Sequence, residues 1–225
     1  VVTANAFSKP GHHFKEWRTN ANGTGDKYEN QESVNKLTTT NNGTVNLYAV
    51  WAANTATVTI KKDNQEWSNS GINVALYQSG TAKYAYSAGT ASGANVGFTT
   101  VVAGTYDVYA SKTSAAKTTL VDTGVDITVE STGTAIIDYY TLTRSEGKGS
   151  TLTTKLDSAS GTAIATGTQV LKNTTIDIKS EAKTGYNTPT LKVGTTNKTA
   201  AGDKFQITAA STVTSTATAN ELTFE

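Results

Sequence analysis

Phe7-Ser8-Lys9-Pro10-Gly11-His12-His13-Phe14-Lys15-Glu16-Trp17, then Asn22-Gly23-Thr24-Gly25, Tyr28 and Leu47-Tyr48-Ala49-Val50-Trp51, is the stretch that decides the fold. Its aromatic side chains hang on turns marked by Gly and Pro, and it closes on a strand ending in tryptophan. Outward from it the composition carries the same message. Roughly a fifth of the residues are Thr, and Ala, Gly, Asn and Ser are common. Hydrophobic residues make up 36% of the 225. Thr, Val, Ile and Tyr suit pleated, half-buried surfaces, while Gly and Asn supply turns. With two prolines and no amphipathic helical run, the expected class is all-β.

Charge and cysteine usage exclude several functions. The net charge is +1 and Lys is scattered, so no basic stripe marks a nucleic-acid footprint. No run approaches the roughly 20 apolar residues of a membrane-crossing helix, so no membrane insertion is expected of this segment. There is no Cys, hence neither a disulfide nor a thiolate metal site. The chain carries no signal peptide, initiator Met or wall-anchoring tail and reads as a piece of something longer.

Three segments are expected, at residues 1–53, 54–143 and 144–219, with 220–225 beginning another. The first resembles the Listeria–Bacteroides repeat, also called the internalin-type B repeat, of bacterial surface proteins. Phe7, Lys9-Pro10-Gly11, Trp17, Asn22-Gly23 and the strand Thr44–Trp51 carry that resemblance. Such repeats open with two strands around an Asn-Gly-Gly turn, whereas only Val1-Val2-Thr3-Ala4 precede Phe7, so the domain looks incomplete at its start. The resemblance leaves room for a β-grasp-like arrangement with a short helical turn. The second segment, through Val58-Thr59-Ile60, Asn73–Tyr77 and Ala103-Gly104-Thr105-Tyr106-Asp107-Val108, resembles the prealbumin-like or Ig-like sandwich of collagen-adhesin B-type domains. The third is similar to the divergent bacterial repeat related to the first, through Thr184-Gly185-Tyr186 and the Thr-rich Ser211–Thr216. These resemblances imply tandem small β-domains in an elongated arrangement, outside the cell, on a bacterial surface.

Each core is small. Phe7, Phe14, Trp17, Leu47 and Trp51 are expected to fill the first. Ile60, Leu76, Tyr106, Val108 and Ile136 fill the second, and Leu152, Ile176, Ile178, Tyr186 and Phe205 the third.

The chemistry-bearing residues are few. His12-His13 is the one histidine cluster, and strand neighbours point to opposite faces, so no shared metal is expected. Ser and Thr abound, but a nucleophile needs a positioned base. Asp122/Asp126 and Glu29/Glu32 sit in solvated turns with no apolar setting to raise a pKa. No enzyme activity, cofactor or metal is therefore expected. Asn22-Gly23-Thr24 and Asn42-Gly43-Thr44 match a glycosylation pattern and read as turns.

The sandwich resemblance raises an intramolecular isopeptide bond between Lys62 and Asp138. Lys62 shares parity with Val58 and Ile60, and Asp138 with Ile136 and Tyr140, so both would face inward. Asp107 and Glu130 are poorly phased to serve as the required acid. Aromatic residues offer the best hint of binding: Tyr77, Tyr84 and Tyr86, with Tyr109 near them, and Trp67 in a polar loop, could stack on a glycan or anchor a host protein. Trp67 could equally cap one end of a sandwich. The open first repeat could also accept a strand from a neighbouring chain or an upstream segment. The expected function is a stalk or spacer in an adhesin-like protein. The alternatives are a binding module for a host protein or glycan, and an accessory region of a multi-domain extracellular enzyme.

Overall fold

The computed structural model describes residues 1–81, 83–157 and 161–221. Among them every regular element is a strand, and the fold is all-β. In chain order the strands are β1 (His12–Arg18), β2 (Lys27–Tyr28), β3 (Tyr48–Ala53), β4 (Thr55–Lys62), β5 (Gln65–Glu66), β6 (Asn73–Gln78), β7 (Lys83–Thr90), β8 (Asn95–Thr99) and β9 (Gly104–Ser111). They continue as β10 (Val121–Val129), β11 (Thr132–Glu146), β12 (Ser150–Leu156), β13 (Thr168–Leu171), β14 (Thr175–Ala182), β15 (Thr190–Val193), β16 (Thr196–Lys198), β17 (Asp203–Gln206) and β18 (Ser211–Thr216). The chain forms two compact units. Unit 1 is Val1–Thr59 with Gly71–Ala135, and unit 2 is Ile60–Ser70 with the described part of Ile136–Glu225.

In unit 1, β2, β1 and β3 form an antiparallel sheet with β1 central. A second sheet runs β10-β9-β6-β7, and Thr55–Thr59 of β4 pairs with β8. Alternation decides what these strands bury: Ala56 and Val58 on β4, Val96 and Phe98 on β8, and Tyr106, Val108 and Ala110 on β9 point inward. In unit 2, β14 lies between β12 and β17, and β15 between β16 and β18. Strand β11 pairs antiparallel with β13 and parallel with β18, from Leu142↔Ser211 to Glu146↔Ser215. Leu142, Leu152, Val170, Ile176, Ile178, Leu191, Ile207 and Val213 form its core. The β4–β5 hairpin closes on Asp63-Asn64 with φ of 51° and 68°, the left-handed pair that a two-residue hairpin loop requires.

Several expectations need correction. No helical turn occurs among the described residues of the first segment. Phe7, expected in its core, is 67% exposed. No strand fixes it on a sheet face; an Asn5 side-chain turn holds its backbone, and its ring stands edge to face with Trp17, centroids 6.3 Å apart. Phe14, Leu47, Trp51, Tyr186 and Phe205 are half-buried, and Trp17 is buried. Ile136, expected in the second core, is exposed, whereas Ile137 and Tyr139 are buried. Ile136 shares parity with Tyr140 and Leu142, which do enter the unit 2 core, but the buried face of β11 changes at Tyr139-Tyr140. At that point both faces are covered.

Candidate functional site

The junction between the first segment and the sandwich in unit 1 is built on Asn54, which is 2% exposed. Its backbone N–H donates to the Gly11 carbonyl at 2.8 Å, and its carbonyl accepts from Val101 N–H at 3.2 Å. Its side-chain amide donates to the Val101 carbonyl at 3.0 Å and accepts from His13 Nδ1 at 2.9 Å. Gly11 packs so closely that an added Cβ would stand 2.5 Å from the Thr100 carbonyl oxygen. Thr100 itself has φ 59°, strained for a β-branched residue and sustained by its surroundings. His13 is thus a structural donor. His12 donates from Nδ1 to the Pro10 carbonyl at 2.9 Å, so the two imidazoles serve separate turns. No group of three or more His, Cys, Asp or Glu side chains suited to a metal occurs among the described residues.

Beside this junction lies a cleft of about 390 Å³, walled by Phe7, Pro10, Phe14, Trp51, Val102 and Glu130. A larger cleft of about 660 Å³ shares its Val102-Ala103 edge and is walled by Gln78, Lys83, Tyr84, Tyr86, Thr105 and Tyr106. The loop dividing them is pinned by two tyrosines. Tyr86 Oη accepts from Val102 N–H and Tyr106 Oη donates to the Val102 carbonyl, each at 2.7 Å. The second bond reaches four residues back along the chain, as in a tyrosine corner. It supplies a physical reason for the Gly-x-Tyr spacing at Gly104-Thr105-Tyr106. Tyr86 and Tyr106 also meet edge to face, with centroids 5.5 Å apart.

Burial, followed by the Tyr86 hydroxyl, pushes the Tyr106 phenol up to about 12. Burial likewise raises Tyr77, Tyr109 and Tyr139. A phenol whose folded value exceeds its unfolded one stabilises fully below about pH 10, and that contribution is lost as pH rises through the folded value. Tyr106→Phe should therefore cost about 1 kcal/mol at neutral pH through the lost bond to Val102. It should also flatten the loss of stability between pH 10 and 12, measured by urea denaturation across that window.

The other aromatic candidates divide between the units. Tyr77 is buried, stacked on Tyr109 at 3.9 Å and edge-on to Tyr84 at 5.2 Å. Lys117 Nζ stands 4.1 Å over the Tyr84 ring. Tyr84 and Tyr86 thus reach the large cleft, while Tyr77 supports Tyr84 from inside. Trp67 belongs to unit 2: it is half-buried, 5.7 Å edge-to-face from Tyr139, with Lys62 Nζ 5.5 Å over its ring. Trp67→Ala should lower the stability of unit 2 by about 2 kcal/mol, from lost apolar burial and ring contact, read by denaturant unfolding.

Lys62 and Asp138 are not brought together. The Asp138 carboxylate lies 3.4 Å from Lys172 Nζ and shares the parity of exposed Ile136, whereas Lys62 faces Trp67. The inward phase expected for Asp138 is the part that fails. In unit 2 a third cleft, of about 360 Å³, is walled by Thr153, Lys155, Asp177, Lys179, Asp203 and Lys204. Lys204 there pairs with Asp157 at 2.9 Å and Asp177 at 3.5 Å, and Lys179 with Glu181 at 2.7 Å. It is a solvated set of charges, with Asp177 and Lys204 paired across β14 and β17 and Lys179–Glu181 along β14.

Asn54, Val102 and Lys83 carried no signal in the sequence. Only the Gly-x-Tyr spacing could have pointed to the pinned loop.

No protein-family model matches the chain, and no curated protein matches it by sequence. Among solved structures it is similar to the pilus adhesin SpaC from Lactobacillus rhamnosus GG in its open conformation, with 12% identity and a TM-score of 0.23 over 80% of this chain and 33% of that one. Another crystal form of the same adhesin gives 12% identity and a TM-score of 0.22, over 75% of this chain and 31% of that one. The chain spans about a third of the length of the adhesin chains it matches. A likeness at this level assigns neither a family nor a partner.

Proposed function

We propose that this chain is a spacer segment of a secreted bacterial surface protein of adhesin type, made of small β-modules and working through reach and stiffness. The observation that supports this reading best is the buried Asn54 junction. A flexible tether would leave the linker polar and solvated. Here one buried residue satisfies four hydrogen-bonding partners drawn from Gly11, His13 and Val101, so the first segment and the sandwich are held at a fixed angle.

Backbone 15N relaxation on the intact chain tests it. Amides of β1 and β3 are expected to report the same rotational correlation time as amides of β6 and β9. A shorter time for β1 and β3 would mean that they tumble on a tether and would remove the basis for a spacer. The second reading, a binding module, is favoured by one observation: the 660 Å³ cleft with tyrosine walls beside the pinned Val102 loop.

A further inference from the structure

We propose that the tyrosine-walled cleft of unit 1 is a binding site for a carboxylated pyranose, a sugar unit carrying one acidic group. The volume, about 660 Å³, lies within the roughly 300–1,000 Å³ of small-ligand sites. Its lining divides into three kinds of group. Tyr86 supplies aromatic surface for the C–H face of a sugar ring, backed edge to face by the buried Tyr106, while Tyr84 lines the cleft with Lys117 over its ring. Gln78, Ser79 and Thr105 supply polar side chains that can meet ring hydroxyls. Lys83 supplies the one formal charge.

That charge carries the assignment. Lys83 is exposed and makes no ion pair among the described residues, and no described Asp or Glu lines the cleft. Asp107, next to Tyr106 in sequence, has its carboxylate engaged by the Gly80 N–H at 3.4 Å. A second cation, Lys117, stands over Tyr84. The local field therefore favours a carboxylate.

An acidic peptide carries the same charge, but the strand that would receive it is poorly suited. β7 is the edge of its sheet, and its pairing with β6 slips twice, between Val74 and Leu76 and between Leu76 and Tyr77. Such bulges twist an edge away from strand addition, and an edge lysine opposes it further. The pinned Val102–Gly104 loop closes the cleft on the other side and gives a compact ligand a rigid wall.

The test is titration of the 15N-labelled chain with hyaluronan tetrasaccharide, 3′-sialyllactose, lactose and an acidic hexapeptide. Saturable amide shifts at Lys83–Tyr86 and Gly104–Tyr106 are expected with at least one of the two acidic sugars, and which one responds tells uronate from sialate. Lactose should bind at least about fivefold more weakly. Lys83→Gln, at an exposed position that leaves the core intact, should weaken the acidic sugar at least about tenfold, as loss of one charge-assisted bond implies. No saturable shift with either acidic sugar, unchanged affinity in Lys83→Gln, or tighter binding of the peptide would each overturn the proposal.

Discussion

Replacing Asn54 with alanine is expected to destabilise unit 1 by about 2–4 kcal/mol, because one buried and one half-buried group lose their partners and each costs about 1–3 kcal/mol when left unmet. The groups are the Val101 carbonyl, fully buried, and the half-buried His13 ring N–H, whose loss lies at the low end of that range; the Asn54 amide holds them at 3.0 and 2.9 Å. The backbone bonds of Asn54 to Gly11 and Val101 survive the substitution, so the loss belongs to the side chain. Asn54→Asp refines the test. It keeps the acceptor facing His13 but sets an oxygen against the Val101 carbonyl, and should cost at least as much. Gly11→Ala should act at the same place by a different route, since its Cβ would meet the Thr100 backbone at 2.5 Å and Gly11 holds φ 71°. Urea denaturation followed by Trp fluorescence checks all three. Changes within 0.5 kcal/mol, the range of ordinary surface substitutions, would show that the junction is decorative.

Leu142→Ala should be the most damaging single truncation in unit 2. Leu142 is fully buried on β11, opposite Thr168 on β13 and Ser211 on β18. It therefore lies where two ladders share one strand. Removing it leaves a void bounded by strands that cannot close independently, and the expected cost is about 2–5 kcal/mol. The marginal stability of small β-units makes that enough to populate the unfolded form of unit 2. Far-UV circular dichroism with chemical denaturation provides the measurement. A control at the neighbouring exposed position, Thr143→Ala, should change stability by less than about 0.5 kcal/mol.

The strands with strict alternation were legible from the residues alone. Val58 and Ile60, Tyr106 and Val108, and Ile176 and Ile178 each announce a buried face two residues apart, and each is buried. What alternation cannot report is a change of buried face within one strand. Ile136, expected in the core, and Asp138, which shares its parity, lie before that change of face, so neither faces the core that Tyr140 and Leu142 enter. Asn54 gave no local signal either: Ala-Ala-Asn-Thr reads as a polar connection, and its partner Val101 lies 47 residues away. The same limit applies to the cleft. Tyr84 and Tyr86 were visible as candidates, but the bulges between Val74 and Tyr77 decide how β7 aligns with β6. Long-range register of that kind is set by packing and not by the residues of either strand alone.

The spacer reading also implies that unit 2 carries tension along its strands. Strand β11 enters unit 2 at Ile136 and the chain leaves β18 at Thr216, and these two strands lie parallel over Leu142–Glu146 and Ser211–Ser215. Pulling those two points apart loads the parallel ladder in shear, so its bonds resist together. Pulling across one rung opens them in succession. The chain has no cysteine, which makes engineered pairs unique handles. Single-molecule stretching through Ile136→Cys and Thr216→Cys should give a mean rupture force at least about twice that through Thr143→Cys and Thr212→Cys, since forced unfolding reports the barrier along the direction of load. Equal forces in the two geometries, or a weaker response along the strands, would contradict a load-bearing spacer.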